Sequence, residues 1–214
     1  MLGLDPVIFI IRAITLVISL TFHEFSHAYV ATRFGDNTPR ANGRLTLNPL
    51  HHLDPLGSLL MLVAGFGWAK PVPINPYNMR SPSGVMWTSL AGPFSNFLLA
   101  IFAAIPLRLG LSFSSSNLIG YFLVNFMEIN LLLMLFNLIP IAPLDGEKIA
   151  LYVWPPAWSS VLEKVSRFGP IALLVVIFLL PYLGIDVLGT LMYGSNGPLN
   201  NLVLLLLGRA PFLF

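Results

Sequence analysis

The sequence predicts an all-α polytopic membrane protein with three core transmembrane helices and additional C-terminal helices. A short re-entrant or β-hairpin region is predicted between the first two core helices. Two observations support this fold class. Hydrophobic residues make up 56% of the 214 residues and charged residues only 9%, with a mean hydropathy of +0.81, whereas soluble domains carry about 25% charge. The apolar residues also form segments long enough to cross about 30 Å of hydrocarbon, which takes about 20 helical residues.

Four long apolar segments are predicted to span the membrane, at 6–34, 84–109, 118–139 and 167–183. A fifth segment, 199–213, is shorter. A sixth, 56–68, has too few residues to cross and fits a re-entrant or interfacial segment.

The connection between the first two long segments has a different character. It is rich in Pro, Gly and Asn, which indicates turns with short extended pieces such as 44–47 and 71–74. We expect residues 1–214 to form one membrane domain, with a core at about 6–150 and accessory transmembrane helices at about 165–214.

Charge and cysteine content narrow the possible partners. The formal net charge is only +2 and no Lys/Arg-rich run is present, so nucleic acid is not an expected partner. The absence of cysteine excludes disulfides and thiolate metal sites. If the first segment runs towards the cytoplasm and 56–68 does not cross, most Lys and Arg residues lie on the cytoplasmic side. The positive-inside rule therefore favours an N-terminus outside the cell.

A metal-binding motif lies inside the first apolar segment. His23, Glu24 and His27 form H-E-x-x-H within "LVISLTFHEFSHAYVATRF". Residues at i and i+4 share a helix face, so the two histidines can chelate one ion. In such sites the glutamate acts as a general base on water. Ionisable side chains are costly in lipid unless they have a partner or a cavity, which favours a functional site over a chance match.

A catalytic zinc site of this type needs a third protein ligand. Asp145 fits best, in "NLIPIAPLDGEKIA", because Pro140 and Pro143 break the helix and allow irregular backbone at membrane depth. Gly146 allows a close turn there. The other acidic residues lie too near in sequence, on the outer side, or away from the expected depth. The alternative for Asp145 is a helix-capping residue.

Other polar residues suggest structural roles. Glu128 lies within a predicted span near Asn125 and Asn130. An intramembrane acid is a functional candidate, but we favour a structural pair with Arg108. His51 and His52 are predicted to lie on the surface of a loop, with contact to substrate as the alternative.

The combined motifs resemble the site-2 proteases, which are intramembrane zinc metalloproteases. The motifs are HEFSH in the first long segment, "LAGPFSN" in the second and "NLIPIAPLDG" after the third. The stretch "GWAKPVPINPYNMRSP" is similar to the segment between the first two core helices of many bacterial and archaeal members. The resemblance covers about residues 9–150. The chain leaves no room for a PDZ or CBS domain, so a minimal form is expected.

The resemblance implies a role for each matching residue. His23, His27 and Asp145 would hold one zinc ion per chain, and Glu24 would be the catalytic acid/base. Asn96 and Asn137 would contact the substrate backbone or the oxyanion. The family cleaves single-span membrane proteins within or near their membrane helix. The expected partners are therefore such substrates and the lipid bilayer, in the cell membrane of a bacterium or archaeon, with the site open to the cytoplasm.

Two alternative functions compete with this one. A membrane metal transporter or metal-binding module would place polar groups along several helices, whereas here they converge on one depth. A membrane protease of another H-E-x-x-H type would take its third ligand from E-x-x-x-D, and no glutamate here has an aspartate four residues later.

Overall fold

The computed structural model describes residues 6–64, 68–111, 117–187, 189, 190, 194 and 197–208. These residues form helices joined by turns. In chain order the helices include α1 (Pro6–Arg33), α2 (Thr38–Ala41), α3 (Pro55–Ala64), α4 (Gly84–Arg108), α5 (Leu118–Asn137), α6 (Asp145–Val153), α7 (Pro156–Ser166), α8 (Gly169–Tyr182) and α9 (Pro198–Leu207). Short 3-10 turns occur at Pro49–His51 and Pro76–Asn78, and α8 contains a π-helical turn at Val175–Leu179.

Three helices, α1, α4 and α5, are long and apolar enough to cross a membrane. Their bounds agree with the first three predicted spans. α7 and α8 meet at a 72° bend and count as a fourth candidate if the pair forms one span. α3 has 10 residues, too few to cross, as expected for the 56–68 segment, of which residues 65–67 lie outside the described part. α9 begins the predicted 199–213 segment, and residues 209–213 also lie outside the described part.

The predicted β-hairpin between the first two core helices is not found among the described residues. The pairing there is one isolated antiparallel bridge between Leu53 and Ala69. Pro71, Pro73 and Pro76 lack the N–H groups that a ladder needs. The Arg44 guanidinium also takes the carbonyl oxygens of Lys70 and Pro71, so a side chain replaces strand pairing.

α1 packs against α4 through buried stripes that repeat every fourth residue. On α1 the stripe is largely polar and on α4 it consists mostly of small residues, which let two helix backbones approach closely in a membrane. The stripe on α1 is Ile11, Thr15, Ser19, His23, His27 and Ala31, and the stripe on α4 is Gly84, Thr88, Gly92, Asn96, Ala100 and Ala104. The packing therefore brings both motif histidines against α4.

α5 completes the three-helix core. It packs against α4 and, less extensively, against α1 and α9. The apolar cluster there comprises Ala100, Ala103, Ala104, Phe126, Met127, Leu131, Met134 and Leu199. Next to this cluster the interface between α4 and α5 becomes polar, at Asn96 and Asn130. Neither residue has exposed surface.

Candidate metal centre

The two motif histidines lie one turn apart on α1 and point their Nε2 atoms at each other. The Nε2 atoms of His23 and His27 are 3.0 Å apart. Oδ2 of Asp145 lies 3.2 Å from each of them. All three residues are buried. The i, i+4 spacing and the predicted third ligand thus converge on a single point between α1, α4 and α6.

Asp145 reaches this point because the chain breaks after α5. α5 ends at Asn137, turns cover 138–144, and α6 starts at Asp145. The first turn of α6 packs tightly against the beginning of this connection, since a Cβ on Gly146 would lie 2.5 Å from the carbonyl oxygen of Ile139 and closer still to that of Leu138. Only glycine allows this approach, which holds Asp145 beside the histidines.

The second nitrogen of each histidine has a hydrogen-bond acceptor. Nδ1 of His27 lies 2.6 Å from the carbonyl oxygen of Thr88, which can only accept, so Nδ1 carries the proton. Nδ1 of His23 lies 2.7 Å from Oδ1 of Asn96 and donates in the same way. Each neutral ring therefore presents an unprotonated Nε2 to the centre.

This donor set fits a zinc ion. Two nitrogen lone pairs and a carboxylate oxygen within 3.2 Å of each other repel unless a cation or a proton lies between them. Tetrahedral zinc with bonds of about 2.1 Å separates its ligands by about 3.4 Å, close to these spacings. Gly92 of α4 faces the site, and a Cβ there would lie 2.6 Å from Nε2 of His23. The space beside the ligands is thus kept free by a missing side chain.

Glu24 lies next to these ligands on α1. It is buried, with 8% of its surface exposed. Among the described residues its carboxylate has no hydrogen bond and no ion pair. Its carboxylate oxygens are not among the fully buried polar atoms that lack a hydrogen bond, so they keep some accessible surface beside the ligands.

The two predicted asparagines occupy different surroundings. Asn96 has no exposed surface, and its amide is engaged with His23, Asn130 and the carbonyl oxygen of Ser19. Asn137 is half-buried at the end of α5 and donates to the carbonyl oxygen of Leu133. Their contact with substrate or oxyanion stays a prediction.

Sequence reasoning misjudged two polar residues, His52 and Glu128. His52 is fully buried rather than on the surface, and its Nε2 lies 2.7 Å from the carbonyl oxygen of Thr46. Burial lowers the pKa of His52, against the effect of that hydrogen bond. No ion pair joins Glu128 to Arg108 in the described part of the chain. Asn130, for which no partner was predicted, contacts Asn96. A loop pattern or a helix period does not reveal such partners.

Curated proteins similar to this chain carry names that class them provisionally as zinc metalloproteases. YwhC of Bacillus subtilis is 43% identical over 171 residues, which cover 76% of this chain and 78% of YwhC. Rip2 of Mycolicibacterium smegmatis is 30% identical over 81% of this chain and 68% of its own length. MJ0611 of Methanocaldococcus jannaschii is 33% identical over 72% of this chain and 75% of its own length.

No family model and no solved structure matches the chain. The assignment depends on the curated relatives together with the His23–His27–Asp145 cluster. YwhC exceeds 40% identity over most of both chains, and the cluster supplies the ligand set that the names of the relatives require. The chain belongs to the family of zinc metalloproteases of the site-2 protease type.

Proposed function

We propose that the protein is an intramembrane zinc metalloendopeptidase that hydrolyses peptide bonds within or near transmembrane segments of other membrane proteins. One observation carries this proposal. The His23–His27–Asp145 cluster is buried between helices that are long and apolar enough to cross a membrane. A hydrolytic site at that depth is reached most directly by a substrate that is itself in the membrane.

His23 and His27 would hold the zinc ion through Nε2, and Asp145 through Oδ2. When bound, the ion supplies a Lewis acid that polarises the scissile carbonyl and activates water. The hydrogen bonds from each Nδ1 keep the rings oriented and leave Nε2 available.

Glu24 moves the proton. Its carboxylate accepts a proton from the attacking water as the oxygen bonds to the carbonyl carbon, and returns it to the leaving nitrogen as the C–N bond breaks. Glu24 is one residue from His23, about 100° around the helix axis. It therefore flanks the ligands without taking part in the three-residue cluster.

Asn137 is proposed to stabilise the oxyanion. It ends α5, eight residues before Asp145, and its amide donates one hydrogen bond to the carbonyl of Leu133. An amide has two N–H groups, so a second donor remains for a developing negative charge.

The stretch 71–74, predicted from the sequence to be extended, is proposed to bind the unwound substrate as an added strand. Pro71 and Pro73 lack N–H groups, and the carbonyl of Pro71 is taken by Arg44. The backbone groups of Val72 and Ile74 form no hydrogen bond with other described residues. Residues two apart in an extended chain present their N–H and C=O groups to the same edge, so this edge is available to a substrate.

The substrates are proposed to be single-span membrane proteins, with the site open to the cytoplasm. The distribution of Lys and Arg supports this orientation. Relatives occur in bacteria and archaea, which supports a cell-membrane location.

The test is proteolysis by the purified protein in detergent, against a panel of single-span substrates, with and without a chelator. We expect wild-type cleavage that stops with chelator and returns on adding zinc. Glu24→Gln should retain zinc but cleave about 10²–10⁴-fold more slowly. Cleavage that persists in the presence of chelator and in the Glu24→Gln variant rules out this mechanism. If Glu24→Gln instead moves metal across vesicle membranes as the wild type does, a transporter is favoured.

A further inference from the structure

We infer that Asn130, in the middle of α5, is a positioning residue that fixes the orientation of the Asn96 amide and, through it, the protonated nitrogen of His23. The inference rests on the proposed function, because it concerns how His23 presents Nε2 to zinc. It assigns Asn96 an orienting role in place of the substrate contact that the resemblance implies.

The polarity of the network can be followed from backbone groups that only accept. Nδ2 of Asn130 donates to the carbonyl oxygen of Phe126 at 2.8 Å. Its Oδ1 must therefore face Asn96, whose Nδ2 donates to it at 2.9 Å. The Asn96 nitrogen is also 3.3 Å from the carbonyl oxygen of Ser19, a second group that only accepts.

These contacts leave one orientation for the Asn96 oxygen. Oδ1 faces Nδ1 of His23 at 2.7 Å and accepts a hydrogen bond from it. A flipped amide would place oxygen against oxygen at Asn130 and Ser19, and would leave a protonated Nδ1 of His23 without an acceptor. The Phe126 carbonyl thus determines, through two asparagines, which nitrogen of His23 is protonated.

Burial favours one orientation of the two amide groups. Asn96 and Asn130 have no exposed surface, and His23 has 6%. Water is not available there to replace a lost acceptor, so the orientation that satisfies every donor is strongly favoured.

The two metal-facing histidines differ in how they are held. His27 donates directly to the carbonyl of Thr88, and a backbone carbonyl cannot exchange donor for acceptor. His23 donates to a side-chain amide, which can. Only His23 therefore depends on a second residue for its tautomer, and this asymmetry provides an internal control.

The alternative is that Asn130 only satisfies its own helix through the bond to Phe126. Asn125 is a matched control, because it makes the same i−4 bond, to Tyr121, at 2.8 Å in the same helix. Asn125 has no bond to Asn96 among the described contacts. Asn130→Leu and Asn125→Leu thus differ in the loss of the Asn96 contact.

The experiment uses full-length protein purified in detergent and measures two quantities. The first is whether Nδ1 of each histidine carries a proton in zinc-free protein, from nitrogen NMR, assigned with single histidine variants. The second is zinc affinity, from competition with a chelator. Thermal unfolding checks that each variant is folded.

We expect Asn130→Leu to mix the tautomers of His23, leave His27 unchanged and weaken zinc binding about tenfold or more, as outer-shell changes do. Asn130→Ser replaces the leucine variant if that variant does not fold. Its side chain is too short to reach Asn96, so the same changes are expected. Asn130→Asp, protonated in this buried position, keeps an acceptor for Asn96 and a donor for Phe126, and should restore both readouts.

Wild-type tautomers and affinity in a folded Asn130→Leu or Asn130→Ser protein would overturn the inference, as would an equal loss in Asn125→Leu. That result would leave the proposed function untouched, since it is tested by cleavage in the wild type. Conversely, a wild type that cleaves nothing would overturn the proposed function, while the tautomer of His23 still reports on Asn130.

Discussion

Nε2 of His27 lies so close to Gly92 that a β-carbon on that residue would clash with it. A methyl group built on Gly92 would lie 2.6 Å from Nε2 of His23 and closer still to Nε2 of His27. The neighbouring helix α4 therefore contributes an empty space to the centre, and it contributes a fixed carbonyl from Thr88 one turn earlier. Close approach of α1 and α4 and room for an ion both depend on this glycine.

We predict that Gly92→Ala weakens zinc binding by at least about tenfold, because the added methyl group displaces the two histidine rings. Loss of a hydrogen bond that orients a ligand has an effect of this size. Alanine favours a helix over glycine by about 1 kcal/mol, which opposes the cost of moving α1 from α4, and thermal unfolding checks that the variant is folded. Zinc retained after dialysis against a chelator measures the effect. Gly84→Ala is the control, since its methyl group would meet the flexible Met79 side chain. Equal zinc retention in the two variants would contradict the prediction.

Asp145→Asn should reduce zinc affinity by more than the about 10–100-fold loss typical of outer-shell changes. Asparagine keeps the shape but removes the negative charge that faces the two Nε2 atoms. Chelator competition measures the affinity. Glu147→Gln, two residues further along α6 and half-buried, controls for the loss of an acid in that helix. An Asp145→Asn protein with wild-type affinity would show that the carboxylate is not a ligand of the ion.

The metal centre could be predicted because the residue patterns that define it are local in the sequence. The i, i+4 histidines need only a helix, and the prolines before Asp145 mark where α5 must end. The tertiary contacts of other polar residues could not be predicted in this way. The burial of His52 and the contact between Asn96 and Asn130 depend on how separate segments pack, which neither loop composition nor helix period contains. The β-hairpin prediction was wrong because it weighed the extended tendency of 71–74 but not its prolines or the buried Arg44.

Asp36 ties the loop before α4 to the end of α1. It is fully buried and accepts hydrogen bonds from the backbone N–H groups of Thr38 and Asn75, at 3.0 and 2.7 Å, and from the Asn78 amide. Burial would raise the pKa of Asp36, but these hydrogen bonds outweigh it and hold the pKa below its usual value of 3.8.

We predict that Asp36→Asn lowers the free energy of local opening of this loop by about 1.5–3 kcal/mol, which is the contribution of hydrogen bonds to a charged group. Hydrogen exchange at the Asn75 amide should then be about tenfold faster or more. In the wild type the folded pKa is depressed, so the stabilisation is fully present above pH 3.8 and is lost as the pH falls through the lower folded value. Asp36→Asn should lack this acid dependence. The exposed Glu163→Gln variant is the control, and unchanged exchange in Asp36→Asn would contradict the prediction.

Arg44 joins the two halves of the same loop region. Its buried guanidinium donates to the carbonyl oxygens of His51, Lys70 and Pro71. These acceptors lie on both sides of α3, and a lysine ammonium lacks the planar fork that reaches them together.

We predict that Arg44→Lys leaves zinc affinity unchanged but raises KM for a membrane substrate more than it lowers kcat, because the ligands of the ion are untouched while the 71–74 stretch loses its support. Exposed Arg40→Lys makes the same chemical change without these contacts and should behave as the wild type. Steady-state cleavage of one single-span substrate by both variants measures the two constants. A fall in kcat alone, or parallel zinc loss, would instead place Arg44 in support of the metal centre and remove the support for strand addition at 71–74.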